Sequence, residues 1–335
     1  MAAPRPVKNP PNPYESTSVE WEGPPPDVKL EVFEEHARSI VAENESPDVG
    51  FRFSVNPYRG CFHGCAYCYA RPTHQYLGFG AGTDFDRKIV VKVNAPELLA
   101  RELVTKRALR GETIAFSGNT DCYQPLEASY ALTRRCLELC LAHRQRIGII
   151  TKGHVIRRDV ALLGEMAARG LARVTISIAF SDDATGLAFD PYAPPIRARF
   201  ETMRRLAEAG VPVGVGVSPI VPGVNDSCIP DILARAKEAG ARHAFMTLVR
   251  LAREVLPVFE ARLEEVVPLR SKKIRSSIRE LRGGATSDSR FGERMRGQGA
   301  RWDVIEQLFD THVRRLGLNE ERPVEPEPEG QLELF

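Results

Sequence analysis

The sequence lacks a long apolar run: nowhere do about 18 consecutive residues stay apolar, which excludes an ordinary membrane-spanning helix. The opening residues, MAAPRPVKNPPNPYE, also lack the apolar core of a secretory signal peptide. We therefore expect the chain to stay in the cytoplasm, with no membrane partner, in a compartment where cysteine thiols remain reduced.

A fourth cysteine is missing from the densest cysteine motif of the chain. The segment GCFHGCAYCYAR, residues 60–71, carries Cys61, Cys65 and Cys68 in the spacing C-x3-C-x2-C. The whole chain has seven cysteines. An odd number with three in one cluster fits metal or redox chemistry better than a disulfide framework. The spacing predicts that these three thiols are metal ligands.

Three clustered thiols are compatible with two kinds of metal site. A structural zinc ion takes four protein ligands, and His63 or His74 could supply the fourth. A [4Fe–4S] cluster takes one cysteine for each iron. Cys122 is the only other cysteine on a loop that follows a predicted strand. With three cysteines in one tight loop, one iron would keep a free position that a small molecule can occupy.

The composition predicts a globular core preceded by an irregular segment. Hydrophobic residues make up 43% and charged residues 27% of the 335 residues, as in proteins that bury a sizeable core. Residues 1–30 contain eight prolines and little periodic apolar pattern. We therefore predict that the segment 1–48 is largely disordered.

After that segment, short β-rich runs alternate with longer helical stretches, which favours βα units and a parallel sheet. The predicted strands are 51–55, 113–117, 147–151, 174–180, 211–217 and 243–248. The predicted helices are 95–109, 127–143, 157–169, 196–209, 230–239 and 257–282. Six consecutive units predict an α/β fold, a partial (β/α)6 barrel of the TIM type, with a core domain at 49–256.

The candidate chemical residues follow the strands of this predicted barrel. In βα barrels the chemistry gathers on the loops that leave the carboxyl ends of the strands. The cysteine motif follows the first strand, SGNTD (117–121) ends the second, and Lys152 ends the third. Ser177 lies late in the fourth strand, and SPIVPGVND follows the fifth. We expect these segments to meet at one end of the barrel.

The spacing C-x3-C-x2-C, with an aromatic residue before the third cysteine, resembles that of the radical S-adenosylmethionine (SAM) superfamily. The resemblance implies a partial barrel of the radical SAM kind that holds a [4Fe–4S] cluster on Cys61, Cys65 and Cys68. It also implies that the open iron binds the amino and carboxylate groups of SAM, which the reduced cluster cleaves to a 5′-deoxyadenosyl radical. An electron donor such as flavodoxin or ferredoxin is then an expected partner.

The same resemblance implies further cofactor contacts, one residue at a time. Tyr67 matches the aromatic residue whose neighbourhood meets the adenine. Gly118 and Asn119 match a glycine-containing turn that lies against the methionyl amino group. The acidic residue usual in that turn is not obvious here. Asp121 either replaces it or simply caps the next helix.

Two residues later in the barrel complete the implied cofactor site. Lys152 is expected to pair with the methionyl carboxylate as a compact point charge. Ser177 is expected to reach the same carboxylate or the ribose. The alternative for Ser177 is an ordinary inward-facing barrel residue.

Longer phrases are similar to one branch of the superfamily, the branch that includes spore photoproduct lyase. They are GNTDCYQPLEASYALTRRCLE, IITKGHVIRRDVALL and VSPIVPGVND, within roughly residues 50–250. That branch has tyrosines before and after the third cysteine, which Tyr67 and Tyr69 match, so Tyr69 is a catalytic candidate. Its hydrogen-donating cysteine corresponds in position to Gly118, and Cys122, four residues later, is the candidate in its place.

The other cysteines fit structural roles. Cys136 and Cys140 stand four residues apart on the apolar face of a predicted helix, where free cysteine packs as a small hydrophobe. We predict that both lie in the core. Cys228 has no evident partner in the sequence.

Positive charge is concentrated near the end of the chain, although the net charge is only +2. The basic block (residues 270–302) carries ten Lys or Arg against three Asp or Glu, a local excess of seven. We expect the helical extension 257–318 to contact DNA phosphates through this block, with Phe291 or Trp302 available to stack on a base. The alternative is a solvated helix face.

An acidic, proline-rich tail, residues 319–335, follows the basic block and predicts a flexible segment. It ends in QLELF, which resembles the short peptide by which bacterial proteins dock on the DNA-polymerase sliding clamp. Leu334 and Phe335 would fill a hydrophobic pocket, Leu332 would cover its rim, and Gln331 would offer an amide for hydrogen bonds. The alternative is an apolar end that matches by chance.

The sequence therefore predicts a radical SAM enzyme that acts on nucleic acid, as a lyase-like DNA repair enzyme. Two alternatives stay open. One is a radical SAM enzyme that modifies RNA or protein. The other is a non-catalytic adaptor that uses the cysteine loop as a zinc knuckle.

Overall fold

The computed structural model describes residues 29–320. Its strands are β1 (Glu31–Glu35), β2 (Val41–Glu43), β3 (Phe53–Val55), β4 (Tyr58–Arg59), β5 (Lys88–Lys92), β6 (Thr113–Phe116), β7 (Arg146–Thr151), β8 (Ala172–Ser177), β9 (Val213–Ile220) and β10 (His243–Leu248). Its helices are α1 (Thr83–Arg87), α2 (Ala95–Thr105), α3 (Glu127–Tyr130), α4 (Leu132–Ala142), α5 (Val160–Ala168), α6 (Asp183–Phe189), α7 (Ile196–Glu208), α8 (Ile229–Glu238), α9 (Leu256–Val266), α10 (Pro268–Glu280) and α11 (Ala300–Arg315). Short 3-10 helices lie at Arg71–Leu77, Arg107–Leu109, His154–Asp159 and Asp226–Cys228.

A seven-stranded sheet forms the centre of the protein, in the order β10-β9-β8-β7-β6-β3-β2. The strands from β3 to β10 pair in parallel, and β2 pairs antiparallel to β3 at one edge. Within this parallel part each strand lies beside the next one along the chain, as in a βα barrel. Among the described strands β10 and β2 do not pair, so the barrel stays open between them. The predicted partial (β/α)6 barrel is confirmed.

Strand β9 shows how the sequence adapts to close neighbours. Its valines, Val213, Val215 and Val217, are fully buried. The alternating glycines face the side chains of β10, because successive residues of a strand point to opposite faces. A Cβ added to Gly214 would lie 2.1 Å from His243 Nε2. The V-G-V-G-V pattern therefore lets β9 pack against large side chains of its neighbour.

Part of the segment predicted to be disordered is ordered. Residues 1–28 lie outside the described range, but the prediction for 1–48 is wrong where β1 and β2 form. Strand β1 pairs in parallel with β5, which also pairs with β4, and the three make a second sheet. The side chains of EVFEE are mostly exposed, so β1 has no apolar alternation to signal it. Backbone hydrogen bonds to β5 hold this strand.

The helical extension packs against the open side of the barrel. Arg282 connects the two, because its guanidinium donates hydrogen bonds to the carbonyls of Val249 (2.9 Å) and Arg294 (3.0 Å). The N–H of Leu248, the last residue of β10, donates to the carbonyl of Met295 (2.9 Å). The loop between α10 and α11 is thereby fixed to the end of β10.

The end of the described chain covers the free edge of β10, and the extension reaches across the barrel opening. The Asn319 side chain accepts from Ala244 N–H (2.8 Å) and donates to the Ala244 carbonyl (2.9 Å), as a neighbouring strand would. Asp48, in the loop between β2 and β3, accepts from Gly292 N–H (2.6 Å) and pairs with Arg294. The last part of the described chain thus joins the two edges of the sheet.

No helix between residues 29 and 320 is long and apolar enough to cross a membrane.

Candidate functional site

The three predicted ligands lie in the cysteine loop (residues 60–71), which follows β4. Gly60 and Gly64 have φ of +78° and +66°, the left-handed region that favours glycine. A Cβ added to Gly64 would lie 2.9 Å from the Tyr192 ring, so the loop packs tightly there. Gly64 N–H donates to the Cys61 carbonyl (3.4 Å), and Cys68 N–H donates to the Cys65 carbonyl (3.2 Å). The cysteines are therefore held in adjoining turns.

A buried arginine fixes the shape of the cysteine loop. Arg71 donates to the Cys65 carbonyl from Nε (3.1 Å) and Nη2 (2.9 Å). Its Nη1 donates to the carbonyls of Ala81 (3.0 Å) and Gly82 (2.9 Å). Its Nη2 also meets both oxygens of Asp86, at 2.9 and 3.1 Å. The guanidinium is thus hydrogen-bonded on every nitrogen and has no freedom to turn.

The thiols are enclosed in a way that suits bound cations. Cys61 and Cys65 are buried, and Cys68 is half-buried. Burial raises the pKa of Cys65 well above its ordinary value, and the Asp190 carboxylate raises it further. Burial also raises the pKa of Cys68 to about 11. Such thiols stay protonated unless a cation stabilises the thiolate, which is what bound iron does.

The two histidines that could complete a zinc site each use one ring nitrogen within the protein. His74 Nε2 donates to the Lys88 carbonyl (2.8 Å), and His63 Nδ1 lies 3.4 Å from Asp121 Oδ2. Burial opposes a charge on His63, but Cys61 and Asp121 raise its pKa to about 9. In the described part of the chain, no three His, Cys, Asp or Glu residues are grouped to hold one metal ion. A [4Fe–4S] cluster does not require the ligands to meet at one ion, because each thiolate binds a separate iron.

The turn after β6 is bound to its neighbours through Asp121. Its Oδ1 accepts from Thr151 Oγ1 (2.6 Å) and from Tyr123 N–H (2.9 Å). Its Oδ2 accepts from Lys152 N–H (2.8 Å). Burial would raise the pKa of Asp121, but His63 lowers it to about 2. Both oxygens are committed to the protein, so Asp121 connects this turn, the end of β7 and the cysteine loop.

The same turn brings Gly118 and Asn119 next to the cysteine loop, as the sequence suggested. Tyr69 Oη donates to the Gly118 carbonyl (2.7 Å). Asn119 Nδ2 donates to Thr73 Oγ1 (3.4 Å), and Asn119 N–H donates to Asn56 Oδ1 (3.1 Å). Tyr69 is half exposed, so its ring also faces solvent at this junction.

Lys152 and Tyr67 meet over a buried carboxylate. Lys152 Nζ lies 5.6 Å from the centroid of the Tyr67 ring. Burial disfavours the charge on Lys152, but Cys65 and Asp190 raise its pKa above the ordinary value. Asp190 Oδ2 pairs with Arg199 Nη2 at 3.0 Å. Among the described residues, no group hydrogen-bonds to Tyr67 Oη or to Asp190 Oδ1, although both atoms are buried.

Ser177 ends β8 at the edge of this group. Its Oγ donates a long hydrogen bond to the Ser218 carbonyl (3.4 Å), and its own carbonyl accepts from Arg199 (3.2 Å). The side chain is buried and points towards β9. This placement agrees with an inward-facing barrel residue and puts Ser177 one hydrogen bond from Arg199.

The structure gives no support to a hydrogen-donating role for Cys122. This cysteine is completely enclosed in the core, and burial raises its pKa well above the ordinary value. Cys136 and Cys140 are completely buried on α4, which confirms the prediction that both lie in the core. Cys228 is half-buried and packs against the same core.

A row of cations and aromatic rings runs from the extension towards the cysteine loop. The Arg294 guanidinium lies 4.5 Å from the Phe291 ring centroid, and that of Arg250 lies 5.9 Å from the Tyr69 ring centroid. Arg250 forms no ion pair with a described residue, and its buried Nε has no hydrogen-bond partner there. Phe291 is 59% exposed and Tyr69 51%. This mouth row (Tyr69, Arg250, Phe291 and Arg294) therefore presents exposed rings and an arginine that has no ion pair with a described residue.

Five of the ten cations in the basic block form ion pairs with protein carboxylates. These ion pairs are Arg275–Glu264 (2.5 Å), Arg290–Asp288 (2.7 Å), Arg296–Glu306 (2.7 Å), Arg301–Glu280 (3.6 Å) and Arg294–Asp48. Lys272 and Lys273 are exposed and form no ion pair with any residue from 29 to 320. The prediction that Trp302 can stack on a base is wrong, because its indole is buried in the core.

Sequence reasoning missed the buried pair Asp190 and Arg199, although a signal exists. Arg199 stands on the buried face of α7, in helical spacing with Ile196 and Met203. A charged residue at an apolar helix position predicts a buried partner of opposite charge. Arg250 was missed because a single arginine after a strand carries no pattern.

The residues around the cysteine loop fit a cluster together with a zwitterionic ligand. Three enclosed thiols can become thiolates on iron, and the Lys152 ammonium can pair with a carboxylate. The buried Tyr67 hydroxyl and Asp190 Oδ1 lack partners and so have unused capacity for hydrogen bonds. Nothing in this donor set disagrees with the cofactors that the sequence implied.

Comparison with solved structures shows the same fold in spore photoproduct lyase. The structure of that enzyme complexed with dinucleoside spore photoproduct has a TM-score of 0.64 at 16% identity, covering 89% of this chain and 86% of that one. A variant with bound AdoMet and dinucleoside spore photoproduct has a TM-score of 0.61 at 16% identity, covering 86% and 80%. At such identity the likeness concerns the fold.

Sequence comparison finds curated relatives in bacteria and archaea. An uncharacterized protein of Mycobacterium tuberculosis is 39% identical over 193 residues, 57% of this chain and 56% of that protein. An uncharacterized protein of Methanocaldococcus jannaschii is 27% identical over 198 residues, 59% of this chain and 71% of that protein. The chain thus spans just over half the length of the mycobacterial relative that it matches.

A profile of the Radical SAM superfamily matches residues 55–236, which is more than half of the chain. The match begins at the end of β3, includes the cysteine loop and ends in α8, so it contains most of the open barrel. Motif, barrel and profile agree, and the chain belongs to the radical SAM superfamily, whose enzymes use a [4Fe–4S] cluster and SAM.

Proposed function

We propose that the chain cleaves SAM reductively to a 5′-deoxyadenosyl radical and acts on nucleic acid, as a lyase-like DNA repair enzyme. The observation that carries the chemistry is the cysteine loop of Cys61, Cys65 and Cys68 at the carboxyl end of the open barrel. Three thiols leave one iron without a protein ligand, and the buried group around Lys152 lies beside Cys65.

The cluster and SAM supply the electron transfer and the radical when they are bound. The chain supplies position and enclosure. Its thiolates would hold the iron, and the Lys152 ammonium would offer a charge to the methionyl carboxylate. The Tyr67 ring, 6.3 Å from that of Phe180, forms an apolar wall that keeps water away from the site.

A nucleic-acid substrate is supported by the mouth row more than by the basic block. Arg250, which has no ion pair with a described residue, offers a cation for a phosphate, and the exposed rings of Phe291 and Tyr69 offer faces for unpaired bases. The row adjoins the cysteine loop through Tyr69, so a nucleotide bound there would lie close to the radical chemistry. Spore photoproduct lyase, which shares the fold, has been solved with dinucleoside spore photoproduct.

An anaerobic assay of the reconstituted full chain tests this function. The enzyme is incubated with dithionite and SAM, alone, with undamaged DNA and with ultraviolet-irradiated DNA, and 5′-deoxyadenosine is measured. We expect product in all three and the most with irradiated DNA, while Cys65→Ala gives none. No product under any condition overturns the radical chemistry. Equal product in all three removes DNA as the substrate, and stimulation by RNA or protein instead favours those substrates.

The terminus QLELF lies outside the described residues, so its role rests on sequence alone. We propose that Gln331, Leu332, Leu334 and Phe335 bind the bacterial sliding clamp and tether the enzyme to DNA. Purified clamp should be captured by the wild-type chain and not by a Leu334→Ala/Phe335→Ala variant. Equal capture by both, or by neither, removes the tether.

A further inference from the structure

Two buried arginine–aspartate pairs flank the cysteine loop, and they differ in one respect. In the pair Arg71–Asp86 both carboxylate oxygens accept hydrogen bonds, at 2.9 and 3.1 Å. In the pair Arg199–Asp190 only Oδ2 is used, at 3.0 Å. Asp190 Oδ1 is buried without a hydrogen-bond partner in the described part of the chain. Buried carboxylate oxygens are rarely left open, so this one requires an explanation.

The open oxygen belongs to a carboxylate that adjoins the predicted cluster ligand. The Cys65 thiol and the Tyr67 hydroxyl lie beside Asp190, although neither forms a well-oriented hydrogen bond to Oδ1. Lys152 and Arg199 are the cations that act most strongly on this carboxylate. Asp86, by contrast, accepts on both oxygens from Arg71, and the charges that act on it most strongly are arginines. The Asp190 carboxylate instead has a predicted cluster ligand among its close neighbours.

The position of Asp190 relative to the cysteine loop is rigid. Arg199 is held by the carbonyls of Pro194 (2.8 Å) and Ser177 (3.2 Å), so the guanidinium cannot carry the carboxylate elsewhere. On either side of Asp190, the backbone bonds to the loop: Ala66 N–H donates to the Phe189 carbonyl (3.0 Å), and Tyr192 N–H donates to the His63 carbonyl (3.2 Å). The carboxylate therefore keeps its place when the loop binds a cofactor.

We propose that Asp190 is a positioning residue whose charge, fixed beside Cys65, lowers the reduction potential of the bound cluster, while Lys152 opposes it. This inference rests on the proposed function, because it takes Cys65 as a cluster ligand. Nearby charge is one of the quantities that set the potential of an iron–sulfur cluster. One electron added by dithionite makes the cluster more negative, and a buried carboxylate beside it disfavours that state.

The test compares Asp190→Asn with Asp159→Asn. Both variants remove one charge from a fully buried carboxylate that pairs with arginine and keep the shape of the side chain, but Asp159 pairs with Arg134 and Arg158, outside the cysteine loop. The reconstituted full chain is titrated with dithionite in the absence of SAM and DNA, and the reduced cluster is followed by electron paramagnetic resonance. We expect Asp190→Asn to shift the midpoint potential to a more positive value at unchanged iron content. Asp159→Asn should leave the potential at the wild-type value.

A second variant of opposite sign keeps the inference testable if Asp190→Asn does not fold. Lys152→Met removes the opposing cation from a half-buried position, and its potential should shift to a more negative value. Equal potentials in wild type, Asp190→Asn and Lys152→Met overturn the proposal. Failure of the wild-type chain to assemble any cluster overturns the proposed function instead, so the two failures are distinguishable.

Discussion

The cysteine loop and the basic block are both dense in charged residues, but they use those residues in opposite ways. At the cysteine loop, Arg71 and Arg199 are buried and each meets a single carboxylate. In the basic block most cations lie near the surface, and half of the ten meet carboxylates of the protein itself. The first region keeps a few polar atoms open for a ligand. The paired cations of the basic block instead form ion pairs that stabilise the helical extension.

This contrast shows that charge counted along a sequence overstates charge that a partner can use. The excess of seven in the basic block includes arginines whose acidic partners lie elsewhere, such as Glu264, Glu306 and Asp48. Within the block, Arg270, Lys272, Lys273 and Arg279 are exposed and form no ion pair with a described residue, and Arg250 lies beside the cysteine loop. Arg250 lies outside the block altogether.

The largest expected effect is loss of the cluster itself. Cys61→Ala, Cys65→Ala and Cys68→Ala should each lose most of the bound iron and all SAM cleavage, because no nearby thiol replaces the ligand. Cys136→Ala and Cys140→Ala are the matched controls, since both thiols lie in the core on α4. Iron analysis and assay of 5′-deoxyadenosine check this. A loss of iron in Cys136→Ala as complete as in Cys65→Ala contradicts the ligand assignment.

The next effect separates the buried pairs from the surface pairs. Asp86→Asn leaves the buried Arg71 guanidinium without its counter-charge, which should lower the free energy of unfolding by about 3–5 kcal/mol. Glu306→Gln removes the partner of the exposed Arg296, which should cost about 1 kcal/mol or less. Equilibrium denaturation by urea compares the two variants. Equal losses in the free energy of unfolding would contradict the proposed difference between buried and surface ion pairs.

A smaller effect is expected at the mouth row. Phe291→Ala should weaken binding to single-stranded DNA by about 1–3 kcal/mol, if one base stacks on the exposed ring. Phe291→Tyr keeps an aromatic face and should bind as wild type does. Fluorescence anisotropy with a labelled oligonucleotide measures both. Wild-type affinity in Phe291→Ala would show that the ring does not contact DNA.

The smallest effect concerns the basic block. Lys272→Ala/Lys273→Ala should flatten the salt dependence of duplex binding by about 0.9 in slope for each lost phosphate contact. Arg275→Ala should change the slope little, because Glu264 already pairs with this arginine at 2.5 Å. Binding titrations over a series of salt concentrations check the difference. An unchanged slope in the lysine variant assigns the block to a solvated helix face.

The sequence predicted the barrel well because its signals are local. Runs such as VPVGVGV and HAFMTL carry strand preference within a few residues, and each is confirmed as β9 or β10. Strand β1 escaped prediction because it is stabilised by backbone pairing with β5, which lies more than fifty residues later. Its side chains are mostly polar and exposed, so they carry no sequence pattern that predicts the pairing.

In the candidate site, too, the local features could be predicted from the sequence and the features set by tertiary packing could not. The cysteine motif is a short pattern, and the family profile includes it. The environment of that motif is assembled from separate elements, so it was not visible. Asp121 illustrates this: its two oxygens bind the end of β7 as well as its own turn, which no pattern within SGNTD reveals. Trp302 was misjudged for a similar reason, because burial of an aromatic residue depends on tertiary packing.

The contact between Asp48 and the loop of Gly292 and Arg294 also bears on how the protein is made. These residues are separated by more than two hundred positions, so the contact cannot form until residue 294 has left the ribosome. Asn319, which covers the edge of β10, emerges later still. During synthesis the edge of β10 is therefore unprotected for a time, and an unprotected strand edge favours aggregation. A chain interrupted after α9 should accumulate as insoluble material, and chaperones that bind exposed strands should act on this protein late in translation.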